Sequence, residues 1–183
     1  MLPPPMDANH PNAKIIRDFY DSFARRDAEG MVAHYAPDIH FSDAVFQNLH
    51  GEEACSMWRM LCARGKDLKV VASDIAADDT SGRAHWDADY LFSGTGRMVH
   101  NVIDARFTFR DGKIVRHVDS FDLHRWAGQA LGLTGRLFGW LPPMQNAIRK
   151  KGDAGLRAYM SSQGSQGSQG SQGSQGSQGS QGK

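Results

Sequence analysis

Apolar residues recur at helical spacing near the start of the chain, at Ile15, Ile16, Phe19, Tyr20 and Phe23, and Asn12 stands where a cap belongs. This pattern predicts a first helix with one buried stripe. Asp27 caps a predicted short second helix holding Met31, Val32 and Tyr35. Ala36-Pro37 should stop it, because the residue before a proline avoids helical geometry. Residues 39–43 alternate as a short strand, with Ile39, Phe41 and Asp43 on one side. An aspartate that continues an apolar face is the odd residue there. Gly51 precedes a third helix over 52–63, in which Ala54, Trp58, Leu61 and Cys62 share a side, and Gly65 ends it. A strand over 68–75 and a turn over 78–82 lead into the most strongly patterned part of the chain.

Residues 83–122 read as three long antiparallel strands, closed by Ser93-Gly94-Thr95-Gly96 and by Asp111-Gly112. Successive side chains in a strand point to opposite faces, so Trp86, Ala88, Tyr90 and Phe92 fall together on the first. On the second, Val99, Asn101, Ile103, Ala105, Phe107 and Phe109 form the apolar set that should meet the core. On the third, Val115, His117, Asp119 and Phe121 share a face. Asn101, His117 and Asp119 among aromatic rings form the pattern of a ligand pocket, mostly apolar with a few placed polar groups. Helices gathered before a run of strands indicate an α+β fold, a curved antiparallel sheet wrapped around N-terminal helices.

The pattern changes after residue 122. Trp126, Leu131, Leu133, Leu137, Phe138, Trp140 and Leu141 are interleaved with glycines at 128, 132, 135 and 139, which predicts two short helical pieces broken at Pro142-Pro143. A final helix over 144–160 should follow. So much apolar surface calls for a cover: the open end of the sheet or a second copy of the chain. The glycine-broken pattern lacks the clean amphipathic face of a membrane-surface helix. The Ser-Gln-Gly repeat over 162–182 has no apolar residue to bury, so it is expected to be disordered. The resulting organisation is a flexible start over 1–11, one α+β domain over 12–124, a helical extension over 125–160 and a disordered tail over 161–183.

Composition removes several function classes. A net charge of +1 over 183 residues, without a clustered basic face bearing stacking aromatics, gives no nucleic-acid footprint. Cys55 and Cys62 lie seven positions apart on one predicted helix, roughly 10 Å by helical rise, beyond disulfide reach. They are expected as small core residues in a reducing compartment. No basic region with an apolar stretch follows Met1, and no run approaches the span of a bilayer, so a cytoplasmic protein without membrane insertion is expected.

The residues from Lys14 to Asp122 resemble the SnoaL-like, ketosteroid-isomerase-like branch of the nuclear transport factor 2-like superfamily. The resemblance rests on the opening helices ending Arg26-Asp27, on Gly51 with Trp58, on Gly96-Arg97, and on the run from Phe107 to Ile114. It implies a cone-shaped α+β fold around a deep pocket, whose reactions and ligands vary widely among members. Asp43 is similar to the proton-shuttling aspartate of the isomerases. Their two oxyanion donors fall at Phe19 and Ala105 here, neither of which can donate a hydrogen bond. His117-Val118-Asp119 resembles the last-strand acid/base pattern of SnoaL-like cyclases, with Asp119 in the acid/base position. The assisting histidine of those cyclases would fall at Ala105. An epoxide-hydrolase relay needs an inward arginine, which the second strand lacks.

These residues define two functional readings. The first is a cofactor-independent proton-transfer enzyme, an isomerase, cyclase or dehydratase, acting on a small hydrophobic carbonyl or polycyclic substrate. Asp43, Asp119 and His117 would be catalytic, and Phe19, Trp58, Trp86, Tyr90, Asn101 and Phe121 would bind substrate. The second is a ligand-binding or protein-interaction module without turnover. No metal site is expected, because His85, Asp87 and His100, though placed on one outward face, are better explained as solvated or dimer-contact residues. That outer charged face suits a homodimer.

Overall fold

The computed structural model describes residues 6–169, with side chains to Gly164. Its elements are α1 (Pro11–Ala24), α2 (Ala28–Val32), β1 (Tyr35–Ser42), β2 (Leu49–His50), α3 (Glu52–Arg64), β3 (Lys69–Ala77), β4 (Ser81–Phe92), β5 (Arg97–Arg110), β6 (Lys113–Ser120), α4 (Leu123–Ala130), α5 (Leu133–Phe138) and α6 (Pro142–Gln169). The predicted order of helices and strands holds, with the two-residue β2 added. The six strands form one sheet in the order β2-β1-β6-β5-β4-β3. It is mixed rather than purely antiparallel, because β1 runs parallel to β6.

The β5 alternation appears as predicted. Val99, Ile103, Ala105, Phe107 and Phe109 are buried, while His100, Asp104, Arg106 and Thr108 are exposed. The turn between β5 and β6 has positive φ at both Asp111 (52°) and Gly112 (70°), the two-residue geometry that matches strand twist and that Asp-Gly favours. Ile114 departs from the pattern. A register shift at Thr108/Phe109 lets Ile114 share the buried side with His117 and Asp119.

The start of β1 also differs from expectation. Met31, Val32 and Tyr35 have helical spacing, yet α2 ends at Val32 and Tyr35 opens β1, opposite Ile114. Pro37 then sits in the stretch where β1 shifts register between Tyr35 and His40, a place a missing N–H is tolerated. α1 is capped by the His10 side chain rather than by Asn12. Asn12 instead donates from Nδ2 to the carbonyls of Asp78 (2.8 Å) and Asp79 (3.1 Å), joining the helix to the β3–β4 turn. Asp7 exchanges two backbone hydrogen bonds with Ala77, so the chain is tied to β3 before α1 begins.

The core lies between the inner sheet face and α1 and α3. Trp58, Phe19, Phe41, Ile103 and His117 are fully buried there. A second cluster gathers Val99, Leu123, Trp126, Ala127 and Ala130 where α4 closes the end of the sheet. α6 crosses the loop after β1, and Arg149 Nε donates to the Ala44 carbonyl at 3.0 Å. Pro142 and Pro143 occupy its first turn, where a proline's missing N–H costs nothing. The helix enters the Ser-Gln-Gly repeat. Residues 170–183 of the expected disordered tail and 1–5 of the expected flexible start lie outside the described residues.

Candidate active site

Residues at the end of β1 and the end of β6 come together at an open cleft of about 270 Å³. It is lined by Ser42, Asp43, Ala44, Val118, Asp119, Ser120 and Phe121. The parallel pairing of β1 with β6 accounts for this meeting, since Phe41 lies opposite His117 and Ser42 opposite Val118. Both strands end at the same edge, so Asp43 and Asp119 reach one opening.

Asp43 stands one residue beyond β1. Its Oδ1 accepts from the backbone N–H of Val45 (2.7 Å) and of Phe46 (2.5 Å), and its own N–H donates to the Phe46 carbonyl. Those contacts form a tight turn and leave Oδ2 without a hydrogen-bond partner among the described residues. Burial raises the Asp43 carboxyl to about 7, the two amide donors oppose that rise, and the charge of Asp119 adds to it. A carboxyl of this kind exchanges protons near neutral pH.

Beneath the cleft runs a buried relay. Trp58 Nε1 donates to the Tyr35 hydroxyl at 2.8 Å, and the hydroxyl meets His117 Nδ1 at 2.7 Å. Indole nitrogen is only a donor, so the Tyr35 hydroxyl accepts from Trp58, and with a neutral imidazole protonated on Nε2 the hydroxyl's own proton is directed at Nδ1. Nε2 then donates to Asp119 Oδ1 at 3.0 Å, and Trp86 Nε1 donates to the same oxygen at 3.3 Å. Asp119 Oδ2 has no partner among the described residues. His117 is 0% exposed, and its Nε2 holds Asp119 Oδ1 from below the cleft.

The remaining predicted binding residues divide by depth. Phe121 lines the cleft. Phe19, Trp58 and Trp86 pack below it in the core, with Trp58 stacked on His117 at a centroid distance of 5.8 Å. Tyr90 is partly buried beside the cleft and accepts from Trp126 Nε1 at 2.7 Å. Burial raises its pKa, and the charge of Asp43 adds to that. Its own hydroxyl proton is not committed to any described residue. Asn101 is partly buried on β5 opposite Ala88. Tyr20, beside Phe19, is buried against Trp86 and Phe107, and its hydroxyl has no hydrogen-bond partner among the described residues.

A larger depression, of about 570 Å³, opens among Met6, Asp74, Arg83, His85, Asp104 and Arg106. Its ionisable groups are largely exposed. His85 Nδ1 pairs there with Asp104 at 2.9 Å, while His100 Nδ1 pairs with Asp89 at 2.9 Å farther along the same face. Exposed pairs of this sort exert little electrostatic leverage. The smaller cleft, although it is not the larger hollow, is the one where buried ionisable groups converge.

Tyr35 and Trp126 are the site residues that sequence reasoning missed. The proline two positions after Tyr35 argued for extended backbone, which is the signal that could have moved Tyr35 from helix to strand. Nothing in the spacing links Trp126 to Tyr90.

A SnoaL-like domain model matches residues 16–117, more than half of the chain. The chain belongs to the SnoaL-like family. No curated protein matches it in sequence. Solved structures share its fold. A nuclear transport factor 2-like protein of unknown function from Burkholderia pseudomallei superposes with a TM-score of 0.55 at 20% identity, over 62% of this chain and 92% of that one. An epoxide hydrolase of the LEH-like kind from M. tuberculosis gives 0.57 at 18% identity, over 69% and 95%. A protein assigned as a polyketide cyclase from Xanthomonas campestris pv. campestris gives 0.57 at 21% identity, over 68% and 99%. At these identities the likeness establishes the SnoaL-like architecture and no particular reaction.

Proposed function

We propose that this SnoaL-like protein moves a proton on a small hydrophobic carbonyl compound, without a cofactor. The observation that carries the reading is the sharing of one cleft by Asp43 and Asp119 in different environments. Asp43 is desolvated and titrates near 7, while Asp119 is gripped at Oδ1 by two N–H donors. Paired carboxyls in unlike surroundings take unlike roles. Asp43 Oδ2 abstracts a proton from the carbon next to the carbonyl and returns it to the same or a neighbouring atom. Asp119 Oδ2 accepts a hydrogen bond from the ligand, and His117 fixes the orientation of Asp119. The Tyr90 hydroxyl proton stabilises the enolate oxygen that forms, with Asn101 as a second donor. Phe121 walls the ligand, and Phe19, Trp58 and Trp86 form the rigid floor.

The cleft volume narrows the substrate class. About 270 Å³ lies just below the usual range of ligand pockets, so a compact ketone fits better than a polycyclic one. Among the described residues no helix is long and apolar enough to cross a membrane. Pairing of two copies through the outer charged face and a cytoplasmic setting belong to the same proposal.

A ligand-binding module without turnover is the second reading, favoured by the turn role of Asp43 Oδ1. Solvent deuterium exchange into small ketones, followed by NMR for wild type and Asp43→Asn, separates the two. Catalysis predicts exchange that falls by about 100-fold or more in the variant, the scale of general acid–base catalysis. Equal, negligible exchange in both would leave the binding module.

A further inference from the structure

We infer that α5 and the turn after it dock this protein onto an anionic lipid surface. The glycines of this segment, which break its helical pattern in sequence, form its packing face. A Cβ at Gly135 would collide with the backbone carbonyl of Ala127, and one at Gly139 would press on Ala127 and His124. Through these glycines α5 lies directly on α4. Its large side chains point the other way: Leu133 is 73% exposed, Leu137 59%, Phe138 48% and Trp140 61%. This inverts the usual order of a globular helix, which buries its bulky apolar residues and presents small or polar ones. Small residues inward with Leu, Phe and Trp outward is the arrangement of an element whose outer neighbour is lipid.

Two more large apolar side chains are exposed on the β4–β5 hairpin. Leu91 and Met98, 47% and 61% exposed, are cross-strand partners on the β4–β5 hairpin. That hairpin is held to the end of α4, where Thr95 Oγ1 donates to the Ala130 carbonyl and Arg97 Nε to the Gln129 carbonyl. The Arg97 guanidinium comes to rest beside Gly132, at the foot of α5.

Charge selects the occupant. From 123 to 160 there are six basic residues, Arg125, Arg136, Arg149, Lys150, Lys151 and Arg157, against the single acid Asp153. The span therefore carries +5 in a chain whose net charge is +1. A second copy would bring the same positive charge against itself. An anionic bilayer supplies an apolar interior for the exposed rings and negative headgroups for the basic residues, and Trp favours that interface. Docking of this kind is independent of any reaction in the cleft.

The full chain is tested by sedimentation with phosphatidylcholine vesicles, with and without phosphatidylglycerol, at low and high salt. Wild type is expected to bind the anionic vesicles at low salt about tenfold or more tightly than it binds phosphatidylcholine alone or the anionic vesicles at high salt. Leu137→Ser/Trp140→Ser and, separately, Lys150→Glu/Lys151→Glu should each lose about tenfold in affinity with unchanged thermal melting, since all four side chains are at the surface. Absence of wild-type binding, or binding that neither pair of substitutions weakens, would overturn the inference. So would a wild-type dimer in lipid-free solution that Leu137→Ser/Trp140→Ser converts to monomer, because the patch would then be an interface between copies.

Discussion

The Tyr35 hydroxyl lies 2.7 Å from His117 Nδ1, joining the first residue of β1 to the imidazole that holds Asp119. The contact is buried, and Trp58 completes it from α3. Removing the hydroxyl leaves an imidazole acceptor and an indole donor unsatisfied in the core. Tyr35→Phe is therefore expected to cost about 2–4 kcal/mol of stability, measured by urea unfolding. A loss below about 0.5 kcal/mol would show that the relay does not hold the site.

Asp43 makes stability depend on pH in an unusual direction. Its folded pKa of about 7 lies above the ordinary value of 3.8, so the folded state holds this proton where the unfolded state has released it. The stabilising effect of protonation is complete below pH 3.8, fades as pH rises towards 7, and is gone above it. At about 1.4 kcal/mol per pKa unit the span is roughly 4 kcal/mol at most. Asp43→Asn should flatten this part of the curve and be more stable than wild type at pH 8. Urea midpoints for both proteins between pH 5 and 8 check the sign, which is reversed if Asp43 serves only as an ionised turn cap.

Asp119 is distinguished by what replaces it. Asp119→Ala strands the N–H groups of His117 and Trp86 and should destabilise by about 2–4 kcal/mol. Asp119→Asn keeps an acceptor at the same place, so it should cost about 1 kcal/mol or less while still removing the charge that raises Asp43. Chemical denaturation of the two variants under the same conditions gives the comparison. Equal losses in both would place Asp119 outside the hydrogen-bonded relay.

Gly135→Ala tests the contact between α4 and α5. The added methyl meets backbone rather than a flexible side-chain end, so α5 must shift. A destabilisation of about 1–3 kcal/mol is expected, as for other overpacked sites. Thermal unfolding unchanged from wild type would mean that α5 is not seated on α4.

The period-two alternation of β5 made its inner and outer faces legible, and the two-residue spacing of His117 and Asp119 placed them correctly on one side. Asp43 was legible as an acid at the end of an apolar alternation. Tyr35 was hidden because it sits at helical spacing from Met31 and Val32, and only the end of α2 frees it to begin β1. Ile114 was hidden by the register shift at Thr108/Phe109, which no residue pattern announces. The depth of the cleft was illegible too. Volume depends on how Phe19, Phe41 and Trp58 fill the space between sheet and helices, and spacing rules place side chains on faces without measuring that space.

The coupling of Asp43 to Asp119 is reached most directly by titrating the carboxyl carbon of Asp43 by NMR in wild type and in Asp119→Asn. A midpoint near 7 that moves down when the charge at 119 is removed is the expected result. A midpoint near 3.8 in wild type, or one that Asp119→Asn leaves in place, would contradict the coupled pair.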